Sequence, residues 1–169
     1  MGFVTMRAPD GRRWSLKEFA QGKPLGVPTH SLFVHFPVAF YLAVLVFDVM
    51  SRITPSPGLV QAGSYLLIGA AVATAAAALT GLIDWAGMVR GSSKRRLATR
   101  HMLLQLTAGA FFVVSFFLRW PNRTQPEADL LWIVLEAVGY LVIIVGQHLG
   151  GLLVYQKAMR VSTGGSQAE

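Results

Sequence analysis

Four apolar stretches, each close to the ~20 residues that cross a bilayer as a helix, constrain this chain more than any other feature. They run from about Leu32 to Ile53, Ala62 to Ile83, Ala98 to Leu118 and Leu130 to Tyr155. No segment alternates polar and apolar residues with the period of a strand. Charged residues make up 14% of the chain, against about 25% in a soluble domain. That is too little charge to cover a water-facing surface. The expectation is an all-α integral membrane protein, a four-helix bundle running up-down-up-down, with a short interfacial helix at its N-terminus.

Residues 1–28 form a polar tail, 29–156 the bundle and 157–169 a short C-terminal tail. In the N-terminal tail, Ser15-x-x-Glu18 has the spacing of a capping box. It predicts a helix from Leu16 to about Gln21, lying on the membrane surface with Trp14 at headgroup level. Gly22, Pro24, Gly26 and Pro28 then break it. Pro37 falls in the first turn or two of the first long helix, where it is tolerated or makes a modest kink. In the second, the small residues from Ala70 to Ala78 predict close contact with neighbouring helices.

The cations fall unevenly. Arg7, Arg12, Arg13, Lys17 and Lys23 precede the first stretch, and Arg90, Lys94, Arg95, Arg96 and Arg100 lie between the second and third. Lys157 and Arg160 follow the fourth, so that twelve cations share one side; Arg52, Arg119 and Arg123 occupy the other. The positive-inside rule then makes both termini cytoplasmic, in a bacterial inner membrane. The formal charge of +7 is read as cations against anionic lipid. Nucleic acid is not the expected partner.

The chain has no cysteine, which removes disulfides, iron–sulfur ligation and thioether-linked haem. No nucleophile–base–orienter set, phosphate loop or metalloprotease motif is present, so a self-contained hydrolase is not expected. Strong metal ligands are limited to His30, His35, His101 and His148, and the topology puts all four in one leaflet. An intramembrane histidine is a candidate site, although the amphipathic ring is also at ease at headgroup level. Helices one and three run in the same direction and are diagonal partners. His35 and His101 are therefore expected to face each other as two axial ligands of a haem, with His148 and His30 close by. Arg95, Arg96 and Arg100 would meet its propionates. Gln105, Tyr140 and Gln147 are candidates to hydrogen-bond the ligand rings. Asp84 reads as a helix-end carboxylate paired with a loop arginine. Asp48 and Glu136 lie in the opposite leaflet, where Arg52 and Arg119 are expected to offset them.

The segments His30-Ser31-Leu32-Phe33-Val34-His35-Phe36-Pro37-Val38-Ala39, Gly81-Leu82-Ile83-Asp84-Trp85, His101 and Gly150-Gly151-Leu152-Leu153-Val154-Tyr155 form a recognisable set. It resembles the bacterial four-helix membrane family catalogued as domain of unknown function 2231, over roughly His30 to Tyr155. The family opens with a His-Pro…Val-His-Phe-Pro box, whereas this chain has Ser31 in place of that first proline. The resemblance implies the fold and the membrane location. By association with redox domains among its relatives, it also implies a haem-b-type module.

The leading expectation is a small membrane protein that binds haem b and transfers electrons, or a subunit of a redox complex. The alternative is a cofactor-free accessory subunit that docks onto a larger membrane complex.

Overall fold

Proline and the capping residues decide where the helices of this chain begin, and their apolar stripes decide how they pack. The computed structural model of the chain describes residues 7, 8, 10–157 and 159. Six helices appear: α1 (Leu16–Ala20), α2 (Thr29–Phe33), α3 (His35–Ile53), α4 (Pro57–Ala86), α5 (Ser93–Arg119) and α6 (Leu130–Tyr155). Single 3₁₀ turns lie at Lys23–Leu25 and Trp120–Asn122. No strand occurs among the described residues. Most of the C-terminal tail expected from 157 onward lies outside the described residues, as do 1–6 and 9 in the N-terminal tail.

Four segments are long and apolar enough to cross a membrane: Thr29–Ile53, Pro57–Ala86, Ser93–Asn122 and Leu130–Tyr155. Two start earlier than their apolar cores. Pro57 takes the first position of α4, where its missing N–H is no loss. Ser92 caps α5 by accepting a hydrogen bond from Arg95 N at 3.1 Å, which adds a basic turn ahead of Ala98. At Pro37 the interruption is local: Val34 keeps helical dihedrals and the span continues on both sides. Proline cannot donate to the Phe33 carbonyl, and the first spanning segment breaks at Val34 into α2 and α3.

The N-terminal capping box forms as expected. Glu18 N donates to Ser15 Oγ at 3.3 Å, and Ser15 N returns a bond to Glu18 Oε2 at 3.0 Å. Gln21 Nε2 reaches Asp84 Oδ1 at 3.3 Å, tying this segment to the end of α4.

In the bundle, α3 packs chiefly on α4 and α5 on α6; α3 also touches α6 and α4 touches α5, more sparingly. Thus two helical hairpins face each other. Their buried stripes match by position. On α3 the buried residues Pro37, Tyr41, Val44 and Asp48 correspond, at one constant offset in the sequence, to Ala108, Phe112, Ser115 and Arg119 on α5. On α4 the buried residues Gly63, Leu67, Ala70, Ala77 and Asp84 correspond at another constant offset to Trp132, Glu136, Gly139, Gly146 and Leu153 on α6. Corresponding residues also meet. Tyr41 stacks on Phe112, and Asp48 pairs with Arg119. The two hairpins thus match position by position, the pattern of a duplicated hairpin.

The alanine run is less buried than expected. Only Ala70 and Ala77 within it are buried, while Ala71, Val72, Ala75 and Ala78 are exposed, because one helix presents only one stripe to its hairpin partner. Large apolar side chains such as Val72, Phe117 and Leu141 stand on the outer faces, as the lipid-facing surface of a spanning bundle requires.

Candidate functional site

At the end of the bundle where α2, α5 and the last turns of α4 and α6 converge, the hairpins part around a cavity of about 360 Å³. His30, Tyr41, Thr74, Gly81, Trp85, His101, Gln105 and Gln147 are among its lining residues. The His30 and His101 rings lie 6.5 Å apart, centroid to centroid, with their planes at 88°.

Both rings are held in the same way. His30 Nδ1–H donates to the Ala77 carbonyl on α4 at 2.8 Å, and His101 Nδ1–H donates to the Gly146 carbonyl on α6 at 2.7 Å. A carbonyl can only accept, so each Nδ1 carries the proton and the lone pair of a neutral ring stays on Nε2. One turn beyond each carbonyl stands a glycine. A Cβ at Gly81 would lie 2.8 Å from His30 Cε1, and one at Gly150 would lie 3.1 Å from His101 Cε1. Each imidazole is thus seated on a bare stretch of the neighbouring helix, with its tautomer fixed by that helix's backbone.

His35 does not take the place expected of it. The five-residue step from His30 to His35 rotates a helix by about 140°, so both cannot face the core. The buried stripe through Tyr41 and Pro37 extends back through Val34 to His30, and His35 is exposed. His148 is also exposed, because the inner stripe of α6 passes through Gly146, Gly150 and Leu153. The structure therefore brings together His30 and His101, and leaves His35 and His148 outside. Among the described residues no group of three or more His, Cys, Asp or Glu is placed to hold a metal ion. A two-imidazole site lies below that count.

At the cavity mouth, Arg95 lies over the Trp85 ring at 4.0 Å from its centroid and donates to the Met88 carbonyl at 2.9 Å. Trp85 Nε1 donates to Thr99 Oγ1 at 2.9 Å. Arg96 turns away to the Gly91 carbonyl. Gln105 and Gln147 line the cavity, but Tyr140 packs in the apolar core instead.

A second polar cluster occupies the other half of the bundle. Arg119 Nη2 donates to Asp48 Oδ1 at 2.7 Å and to the Val60 carbonyl at 3.1 Å. Its Nη1 reaches Glu136 Oε1 at 3.0 Å, which also accepts from Ser115 Oγ at 2.6 Å. All of these side chains are fully buried. Gly63 makes room for them, since a Cβ there would lie 2.9 Å from Arg119 Nη2. Of the two expected counter-charges, Arg119 serves both acids. Arg52, a turn further along α3 and next to its last residue, instead pairs with Glu127 at the surface, at 2.6 Å.

A model of a protein family described as "Predicted membrane protein (DUF2231)" matches residues 26–163. No curated protein and no solved structure matches the chain.

Proposed function

The chain belongs to the DUF2231 family of predicted membrane proteins, and we propose that its cavity holds a haem b bound by His30 and His101. The protein is then an electron-transfer module of the bacterial cytoplasmic membrane, or the haem-carrying subunit of a redox complex there. One observation carries this reading. Two imidazoles at corresponding positions of the two hairpins stand 6.5 Å apart, and each is locked by a carbonyl into the tautomer that frees Nε2.

The residues fit such a group. His30 and His101 would be the residues that hold the iron, through the Nε2 atoms that their carbonyl-bonded Nδ1 atoms leave free. The cavity lies within the ~300–1,000 Å³ of ligand pockets, between the two hairpins where inter-helix packing is sparsest. A haem iron with two histidine ligands supplies reversible one-electron chemistry. The chain's own part is to orient the rings, to exclude water with apolar walls such as Val38, Leu106 and Ile143, and to set Arg95 at the mouth for anionic groups.

The test is the visible spectrum of protein purified in detergent from haem-replete cells. A Soret band is expected in the wild type, lost in both His30→Ala and His101→Ala and kept in His35→Ala and His148→Ala. A wild-type preparation without that band overturns the proposal and leaves a cofactor-free accessory subunit as the better reading.

A further inference from the structure

The buried cluster in the half of the bundle away from the histidines has an unbalanced charge. Asp48, Arg119 and Glu136 are each fully buried, and two carboxylates face one guanidinium. The surroundings offer no further cation. α4 contributes the Val60 carbonyl, Gly63 and Ser64, and the Ser64 hydroxyl donates back to Val60 O at 2.8 Å. From α5 comes Ser115, from α6 Trp132, and from α3 Ser51, which donates to the Asp48 carbonyl at 2.7 Å. The nearest other charges are engaged elsewhere: Arg52 with Glu127, and Arg123 over the Trp120 ring with a bond to the Trp120 carbonyl.

If both acids were ionised, the cluster would hold a net negative charge in a bundle core, which burial strongly disfavours. The hydrogen bonds point the same way. Asp48 Oδ2 and Glu136 Oε2 are buried and have no donor, and the other oxygen of each carboxyl group is held by the same guanidinium, at 2.7 Å and 3.0 Å. One proton on either oxygen removes the excess charge, and it supplies the donor that these oxygens lack. The charge count thus requires one proton, and either unpartnered oxygen can hold it; Arg119 Nε–H in the same cluster is likewise buried without an acceptor.

We propose that Asp48, Glu136 and Arg119 form a proton-binding site in which the two carboxyl groups share one exchangeable proton. Asp48 stands five residues before the end of α3, about 8 Å along the axis. The aqueous phase that exchanges with the site is therefore the one bathing the 54–56 and 120–129 connections, opposite the His30–His101 cavity. The site does not depend on a cofactor in that cavity.

Infrared spectroscopy of the purified full chain tests this. At neutral pH the wild type is expected to show a protonated-carboxyl C=O band that shifts in D₂O and weakens as the pH is raised. Glu136→Gln and Asp48→Asn should each lose it, because the remaining carboxylate is then matched by Arg119. Both variants keep the cluster neutral and should insert and fold. The absence of the band in wild type overturns the proposal. So does a band that survives both amide variants, which would belong to another acid such as Asp84. A band indifferent to pH and D₂O reports a locked structural proton and overturns the exchange. Should either variant fail to accumulate, the wild-type pH and D₂O series decides alone.

Discussion

Tyr41 and Phe112 stack with ring centroids 4.0 Å apart and planes at 24°, and this contact separates the histidine cavity from the buried charge cluster. The two rings occupy corresponding positions of the duplicated hairpin and fill the middle of the bundle. Tyr41 OH also meets Thr74 Oγ1 at 3.0 Å. Tyr41→Phe removes only that bond and should cost about 1 kcal/mol. Tyr41→Ala removes the stack and opens a cavity, and should cost about 3–5 kcal/mol. Thermal unfolding in detergent should rank them in that order; equal losses would mean that the hydroxyl, not the ring, holds the bundle here.

The glycines under the histidines give a second expectation. Gly81→Ala puts a methyl 2.8 Å from His30 Cε1, and Gly150→Ala one 3.1 Å from His101 Cε1. Helix propensity favours alanine by about 1 kcal/mol, so stability alone should change little. The displaced ring loses its carbonyl partner, and haem retention should fall in both variants, more in Gly81→Ala. Haem-to-protein ratios measured beside thermal midpoints separate the two effects. An unchanged ratio in both would show that the rings do not need these seats.

How legible was this in the sequence? The helices, the capping box and the diagonal relation of α3 and α5 follow from apolar length, cap spacing and alternating direction. The choice between His30 and His35 was not legible without the stripe. The His-x-x-x-x-His spacing puts one ring in and one out, and only the burial of Pro37 and Tyr41 says which. The duplication is masked in the sequence because, apart from pairs such as His30 with His101 and Gly81 with Gly150, corresponding residues differ in kind: Val44 answers Ser115, and Asp48 answers its own counter-ion, Arg119. What repeats is position and burial, and these become visible only when the hairpins are packed.

A pH effect is expected at the N-terminal segment. Glu18 is hydrogen-bonded foremost by Arg12, at 2.8 Å, then by Ser15 and Lys23. These partners hold its carboxyl well below the usual carboxylate range. A depressed acid stabilises the fold above its unfolded value, about 4.3, and that contribution is lost as pH falls through the lower folded value. Protease sensitivity of the α1 segment should therefore rise on acidification in the wild type. Glu18→Gln should be sensitive at all pH values; a wild type equally resistant at pH 3 and 7 would contradict the clamp.

Orientation can be read directly because the chain has no cysteine. Single cysteines at Ser93, beside the basic turn, and at Asn122, in the opposite connection, should label differently in intact cells. The cation asymmetry puts Ser93 inside and Asn122 outside. Burial of Arg119 in the cluster removes one cation from the outer connections and sharpens the asymmetry. Labelling of Ser93→Cys from outside, with Asn122→Cys protected, would invert the topology and move the proton-exchanging face to the cytoplasm.

Arg119 carries the largest single expectation. Its side chain bonds α3, α4 and α6 from α5, so one group joins all four helices. Arg119→Met leaves two acids buried without a counter-ion, and breaking such a cluster from one side costs about 3–5 kcal/mol. Interhelical hydrogen bonds in lipid average nearer 0.6 kcal/mol, so a loss of that smaller size would mean that the acids simply take up protons and settle. The triple replacement Asp48→Leu, Arg119→Met, Glu136→Leu distinguishes these cases. Removing the whole charged set restores an apolar interior, which is often neutral or stabilising relative to the buried ions. The triple variant should therefore unfold at a higher temperature than Arg119→Met, while lacking the protonated-carboxyl band. If it is instead the less stable of the two, the cluster is itself a principal source of the bundle's stability, and its retention needs no proton-binding role.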